Sequence, residues 1–174
     1  MLLAQNHRAD SLKGALTHAL NDTDKINILN RLAHELENNN PDSSILLSKQ
    51  ALALARQISW IKGEVNAEYQ LGTFYDTKGN ISTGIEYEDS ALVLCKKSDN
   101  KLRFGSVYNA LGNLASEQNK FAIGLDYYFK ALDYDSIYDK GFLPDLYNNI
   151  GLDYEDKGDY IKAERYLFRS LKNV

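Results

Sequence analysis

Few residues of this 174-residue chain have the types and spacing that catalysis or metal binding requires. His34 and Glu35 would begin a zinc-binding helix motif if a second histidine stood at position 38, but Asn38 stands there and the second ligand is lost. The single cysteine, Cys95, excludes an internal disulfide and any cysteine-rich metal site. No nucleophile with a base and no pair of carboxylates is placed by a recognisable motif. We therefore predict that the protein is not an enzyme and that it uses no metal or cofactor.

Charge and hydropathy narrow the class of partner. The formal net charge is −4 and Lys and Arg form no basic stripe, so nucleic acid is not an expected partner. No apolar run approaches the roughly 20 residues of a membrane helix, so we expect no membrane insertion by this fragment. The start Leu2, Leu3, Ala4, Gln5 is similar to the last residues of a secretory signal, which suggests a periplasmic or extracytoplasmic location. An ordinary frayed N-terminus of a cytoplasmic protein is the alternative.

An internal repeat organises the chain. Gly72, Gly112 and Gly151 each follow an aliphatic residue and recur at nearly equal intervals. Each glycine is followed at similar spacings by a turn-like residue, by a small residue and by a second small residue. These positions hold Gly79, Asn119 and Gly158, then Gly84, Gly124 and Ala163, then Ala91, Ala131 and Ser170. A fixed period of this size predicts an array of helical hairpins.

The repeat sets the expected boundaries. We predict an N-terminal segment at 1–22 and an array at 23–174, with repeats at about 24–59, 60–98, 100–137 and 140–174. Within the N-terminal segment, an amphipathic helix over 11–20 that includes Leu20 is expected to cover the first repeat. Thr23 is the candidate cap of the next helix. Pro41 is expected in a turn, and Pro144 in the first turn of a helix.

The recurring glycines point to close packing. A glycine inside a helix costs about 1 kcal/mol relative to alanine, so we expect the paired helix to approach its backbone closely. Large rings are expected to fill the remaining core volume. The rings at or near core-facing spacings are Tyr69, Tyr75, Tyr108, Phe121, Tyr128, Tyr147, Tyr154, Tyr160 and Phe168.

These motifs together resemble the tetratricopeptide repeat. The best copy reads Tyr147-Asn148-Asn149-Ile150-Gly151 and continues through Gly158-Asp159-Tyr160 to Ala163. The period is about 40 residues, longer than the roughly 34 residues of the common repeat. In this respect the chain is similar to the variant in peptide-sensing bacterial regulators and in some bacterial signalling kinases and cyclases. The resemblance implies an all-α, right-handed α-α superhelix of about four helical hairpins plus an N-terminal helix, whose first helices would line a concave groove.

The resemblance also implies which side chains line that groove. The matching positions are Asn30, Tyr69, Gln70, Thr73, Asp76, Asn109, Asn113, Ser116, Glu117, Asn148, Asn149, Leu152 and Glu155. None is Lys or Arg, so a clamp for a C-terminal carboxylate is not expected. Amides carry a donor and an acceptor and can hold the backbone of an extended peptide, and the acids favour a neutral or basic ligand. The alternative is that these amides are merely solvated helix surface.

Three functions remain open from the sequence. The first is a non-catalytic, protein- or peptide-binding module that forms the sensor or interaction part of a larger bacterial signalling protein of the histidine kinase or cyclase type. The second is a self-standing peptide receptor, and the third is an assembly scaffold. The last helix carries Leu167, Phe168 and Leu171 at positions that a following helix would cover, so we expect further polypeptide downstream or weak end-to-end self-association.

Overall fold

The computed structural model describes residues 2–98, 101–138 and 140–172, and all regular structure in those ranges is helical. A short 3-10 turn at Lys140–Phe142 leads into the penultimate helix. The helices are α1 (Leu2–Thr17), α2 (Asp22–Leu36), α3 (Pro41–Gln57), α4 (Ile61–Thr77), α5 (Ile81–Ser98), α6 (Lys101–Glu117), α7 (Phe121–Tyr138), α8 (Leu143–Asp156) and α9 (Tyr160–Lys172).

Consecutive helices pack as hairpins, α2 with α3, α4 with α5, α6 with α7 and α8 with α9. The predicted all-α hairpin fold is confirmed. The chain divides into two compact units, Met1–Ser98 with α1 to α5 and Asp99–Val174 with α6 to α9. We call them unit 1 and unit 2. The predicted repeat limits at 100 and 174 lie outside the described residues.

The turns inside the hairpins repeat one backbone geometry. Gly79, Asn119 and Gly158 have φ values of 74°, 58° and 77°, the left-handed conformation that ends a helix. The residue after each of them donates its N–H to a carbonyl in the last turn of the preceding helix. These bonds are Asn80 N to Tyr75 O at 2.8 Å, Lys120 N to Ala115 O at 2.9 Å and Asp159 N to Tyr154 O at 2.9 Å. The chain therefore leaves the first helix of these three hairpins with the same backbone geometry.

Each repeat glycine makes room for a large side chain of the paired helix. A Cβ at Gly112 would overlap the ring of Tyr128, and one at Gly72 would overlap the Glu88 side chain. At Gly151 the neighbour is Leu167, whose Cγ would lie 2.7 Å away. The expected close approach is thus to a side chain more than to the backbone of the paired helix.

In unit 1, α1 covers the hairpin of α2 and α3 through Ala9 and Leu12, which pack with Leu32. This helix differs from the sequence expectation. It spans 2–17 and ends before Leu20, which is 93% exposed. The chain turns at His18 and Ala19, whose N–H groups donate to the carbonyls of Ala15 and Leu16. The apolar spacing in the sequence therefore extends past the end of the helix.

The starts of α2 and α3 differ from two further expectations. The N-cap of α2 is Asn21, whose Oδ1 accepts from the backbone N–H of Asp24 at 2.8 Å, and Thr23 lies inside the helix. Pro41 is the first residue of α3 and not part of a turn, because a proline needs no N–H partner there. Pro144 lies in the first turn of α8, as predicted.

In unit 2, one buried cluster joins α7 and α8, and α6 contributes further buried apolar side chains such as Val107 and Leu114. Two rings that were expected to face it do not. Tyr160 is 69% exposed and Phe168 is 57% exposed, because both lie on the side of α9 that faces away from α8. The buried cluster consists of Leu125, Tyr128, Ala131, Leu146 and Ile150.

Candidate functional site

Asparagines from two first helices meet in unit 2. Asn109 and Asn113 are separated by one turn of α6 and therefore lie on one face of that helix. The side-chain nitrogen of Asn149, on α8, donates to Asn109 Oδ1 at 3.1 Å and to Asn113 Oδ1 at 3.1 Å. One amide of α8 thus uses both of its hydrogens to hold two amides of α6. With the exposed Asn148 beside them on α8, we call these four side chains the amide surface.

Polar groups beneath this surface, two of them buried, form hydrogen bonds with it and with each other. The hydroxyl of Tyr128, on α7, donates to Asn113 Oδ1 at 2.9 Å. Next to it, the Ser116 hydroxyl lies 3.3 Å from Tyr128 Oη and donates to Asp153 Oδ2, on α8, at 2.8 Å. The chain of bonds therefore joins α6, α7 and α8, and it fixes the orientation of the Asn113 amide.

Asp153 is the acid of this network and is 3% exposed. Burial raises the pKa of its carboxyl above the ordinary value, and the hydrogen bond from Ser116 only partly opposes that effect. The acid was not foreseen from the sequence. A signal was present, because the equivalent positions after Gly72 and Gly112 hold the apolar Phe74 and Leu114.

The amide surface keeps donors for a ligand. The carbonyl oxygens of Asn109 and Asn113 are occupied, whereas within the described part of unit 2 their side-chain nitrogens contact no acceptor. Leu152 and Glu155 continue the face of α8 and are exposed, and Glu117 is exposed at the end of α6. Hydrogen-bond donors thus lie beside an apolar side chain and carboxylates.

In unit 1, the predicted positions are used differently. Gln70 Nε2 donates to the backbone carbonyl of Asn30 at 2.9 Å, and Gln70 Oε1 accepts from Ser48 at 3.5 Å. Asn30 is 7% exposed, and its side-chain oxygen is buried with no partner among the described residues. Tyr69 and Thr73 are half-buried, and the Thr73 hydroxyl donates to the Tyr69 carbonyl at 3.1 Å. Asn30 and Gln70 therefore serve mainly to join α2, α3 and α4.

The six predicted repeat positions are buried, the glycines Gly72, Gly112 and Gly151 as well as Ala91, Ala131 and Ala163. His34 lies on the surface with Nδ1 3.3 Å from Glu37 Oε2.

Within the described ranges, no group of His, Cys, Asp and Glu is arranged to hold a metal ion. None of the described helices is long and apolar enough to cross a membrane.

Comparisons with known proteins identify the fold. No protein-family profile and no curated protein matches the sequence. Among solved structures, BtubC (BKLC) from P. vanneervenii aligns with a TM-score of 0.79 and 20% identity over 96% of this chain and 72% of that chain. MamA aligns with a TM-score of 0.64 and 20% identity over 98% and 82%.

A third similar structure is a putative kinesin light chain with nearly identical TPR-like repeats from Podosopora anserina. It aligns with a TM-score of 0.67 and 10% identity over 97% of this chain and 86% of that one. The resemblance to the tetratricopeptide repeat is confirmed at the level of the fold.

Proposed function

We propose that this chain is a non-catalytic protein-interaction module whose second unit binds an extended peptide segment of another protein at the amide surface. One observation carries the proposal. Because Asn149 and Tyr128 occupy the carbonyl oxygens of Asn109 and Asn113, the two side-chain nitrogens are held as oriented donors. Backbone carbonyls of an extended peptide are matching acceptors, and binding them needs no particular ligand side chain.

The charges beside the amide surface favour a neutral or basic ligand. Glu117 and Glu155 are exposed at the ends of α6 and α8. None of the groove positions implied by the resemblance holds Lys or Arg, so a ligand carboxylate would meet like charge without a cationic partner. We therefore propose internal segments or basic segments as ligands, and not C-terminal carboxylate motifs.

Selection from a displayed peptide library, followed by calorimetric titration of the selected peptide, tests the proposal. The informative variant is Asn109→Asp, because the carboxylate keeps an oxygen to accept from Asn149 but removes the side-chain donor. For a selected peptide without basic residues, losing one hydrogen bond should weaken binding by about 1 kcal/mol, or about fivefold in Kd. Thermal stability should stay close to that of the unmodified chain.

The matched control is Ala122→Asp, which adds the same charge at an exposed position on α7. It should leave the affinity unchanged. A library that selects acidic C-terminal motifs would contradict the proposal, and so would equal affinities of Asn109→Asp and the unmodified chain for the selected peptide.

We propose a separate ligand surface within unit 1, in which the half-buried Tyr69 and Thr73 contact the ligand and Asn30 and Gln70 support them. A peptide that binds this surface should lose more affinity with Tyr69→Ala than with Gln70→Glu, since Glu at position 70 keeps an acceptor for Ser48. Equal losses would contradict this surface of unit 1.

We further propose that the module is the sensor or interaction part of a bacterial signalling protein of the histidine kinase or cyclase type. Support comes from the repeat period of about 40 residues, which is similar to that of such proteins. The self-standing receptor and the assembly scaffold are the alternatives. Sequencing the gene with its flanking regions distinguishes them, because the signalling hypothesis requires an output domain in the same reading frame.

A further inference from the structure

The outer face of α9 exposes an apolar surface that the proposed peptide binding does not use. Ile161, Phe168 and Leu171 are 80%, 57% and 73% exposed, and Tyr160 lies beside them at 69%. Two open grooves lie along the helix: Tyr160, Leu167 and Leu171 line the first, Ile161 lines the second, and Phe168 borders both. We call these side chains of α9 the outer face.

The equivalent face of α7 shows what such a surface accommodates. Phe129 and Leu132 stand one repeat before Phe168 and Leu171 and have the same residue types. In α7 they pack against the cluster that includes Leu146 of α8. The residues of the outer face thus repeat residues that, one hairpin earlier, pack against a cluster to which a first helix contributes.

Unit 1 gives an independent example. Leu52, on α3, occupies the repeat position of Leu171, and it is only 6% exposed because it packs in one cluster with Ala67 and Leu71 of α4. The same residue type at the same repeat position is therefore covered by a first helix in one case and 73% exposed in the other. A first-helix surface fits this face in shape and in apolar character.

Charge indicates which kind of helix would bind. α9 carries four basic side chains and one acidic side chain, whereas α8 carries four acidic side chains and no basic one. The basic residues Arg165, Arg169 and Lys172 line the second groove, together with Glu164, whereas Glu155 and Glu164 line the first. Arg165 is exposed and has no ion-pair partner within residues 141–172. Two copies of α9 packed face to face would bring like charges together, so a second copy of this chain is the less favourable occupant.

We propose that the outer face of α9 binds an acidic amphipathic helix of a partner protein, which packs on it as α8 packs on α7. The partner helix presents apolar residues at the spacing of Leu146 and Ile150. Its acidic residues lie toward Arg165 and Lys172, and a basic residue faces Glu164. This site is separate from the amide surface and does not depend on it.

A helical peptide with the sequence of α8, residues 143–156, is the probe. A hydrocarbon staple replaces the residues at 148 and 152, which are exposed in α8, and a fluorophore allows binding to the full chain to be followed by anisotropy. A second stapled peptide carries Lys in place of the four acids. We expect saturable binding of the acidic peptide, and at least about tenfold weaker binding of the basic one.

Substitutions locate the site. Leu171→Glu removes apolar area and adds an acid against an acidic helix, so it should weaken binding at least about tenfold. Arg165→Glu should weaken the acidic peptide and strengthen the basic one. Ile123→Glu changes a side chain on α7 that is 50% exposed and should have no effect. Circular dichroism of each variant confirms that the helices are retained.

Three outcomes would overturn the proposal. The first is no binding of the acidic peptide at about 1 mM, the weakest affinity of interest. The second is equal binding of the two peptides, or equal binding by Leu171→Glu and Ile123→Glu. The third is a dimer in analytical ultracentrifugation that Leu171→Glu dissociates, which would assign the outer face to a second copy of the chain.

Discussion

The two units join their successive hairpins with different chemistry. In unit 1 the polar contacts between α3 and α4 include two ion pairs, Arg56 Nη2 with Glu68 Oε1 at 2.6 Å and Lys78 with Asp42, beside the neutral bond from Ser48 to Gln70. In unit 2 the contacts between α6 and α8 are mostly neutral, with Asn149 bonded to Asn109 and Asn113. The repeat thus shares its backbone shape between the units while the polar groups that join the helices differ.

The difference has consequences for the two surfaces. Arg56 is 58% exposed on its side chain, so its pairing with Glu68 is open to screening by salt. The uncharged amide contacts of unit 2 are insensitive to ionic strength and are supported by buried groups on one side. Unit 2 therefore presents a pair of amide donors on one helix whose orientation is maintained by other hydrogen bonds, whereas in unit 1 the Gln70 amide donates to the Asn30 carbonyl.

The largest expected effect is a loss of stability when a repeat glycine, a position that both units share, is replaced. Gly112→Leu places a side chain where the ring of Tyr128 packs, and Tyr128 is part of the network of unit 2. Overpacking of this kind costs about 1–3 kcal/mol, and the lost hydrogen bond adds to it. Thermal and urea unfolding followed by circular dichroism should show the loss.

Gly14→Leu is the matched control, because a Cβ at Gly14 meets no atom within 4 Å. It should not destabilise the chain. Hydrogen exchange should place the loss caused by Gly112→Leu in α6 and α7, with α2 and α3 unchanged. Unfolding curves that coincide for the two variants would mean that the hairpin alignment is wrong.

A smaller effect compares the amides of the two units. Asn149→Ala removes two hydrogen bonds in unit 2 and should cost about 1–2 kcal/mol, whereas Gln70→Ala removes the bond to the Asn30 carbonyl and should cost about 1 kcal/mol. A double-mutant cycle of Asn149→Ala with Asn109→Ala should show coupling, because the two side chains are bonded to each other.

Additive losses in that cycle would show that the bond between Asn149 and Asn109 contributes nothing to stability. A larger loss for Gln70→Ala than for Asn149→Ala would reverse the comparison between the units.

The smallest effect concerns pH. Burial raises the pKa of Asp153 above its unfolded value, so between those two values the folded chain binds more protons than the unfolded chain. Asp153 therefore destabilises the fold near neutral pH, and this penalty disappears as the pH falls to the unfolded pKa. Asp153→Asn should remove the dependence, with a change of about 1 kcal/mol at most, the size of one hydrogen bond.

The measurement is the free energy of unfolding of both proteins from pH 7 downward, compared as a difference so that other carboxyls cancel. The difference should shrink as the pH falls. In unit 1, Glu68 also has a raised pKa, mainly because of burial and despite Arg56, so Glu68→Gln should show the same sign. A difference that grows at low pH would mean that the charged form of Asp153 stabilises unit 2.

Much of the fold was readable from the sequence because its signals are local. Gly79, Asn119 and Gly158 take the left-handed conformation, which a turn after a helix requires and which glycine and asparagine tolerate best. Helix lengths and hairpin order follow from the spacing of these residues. The period of Gly72, Gly112 and Gly151 likewise predicted where paired helices come closest.

The tertiary structure alone decided which side chains meet. The sequence predicted amides near α6 and α8, but the donation from Asn149 to two oxygens depends on how the two helices are rotated and spaced. Asp153 belongs to the network because the hydroxyl of Ser116, on another helix, donates a hydrogen bond to its buried carboxyl. Leu20 and Phe168 fit an apolar pattern and are exposed, since periodicity states which residues share a face but not whether another element covers it.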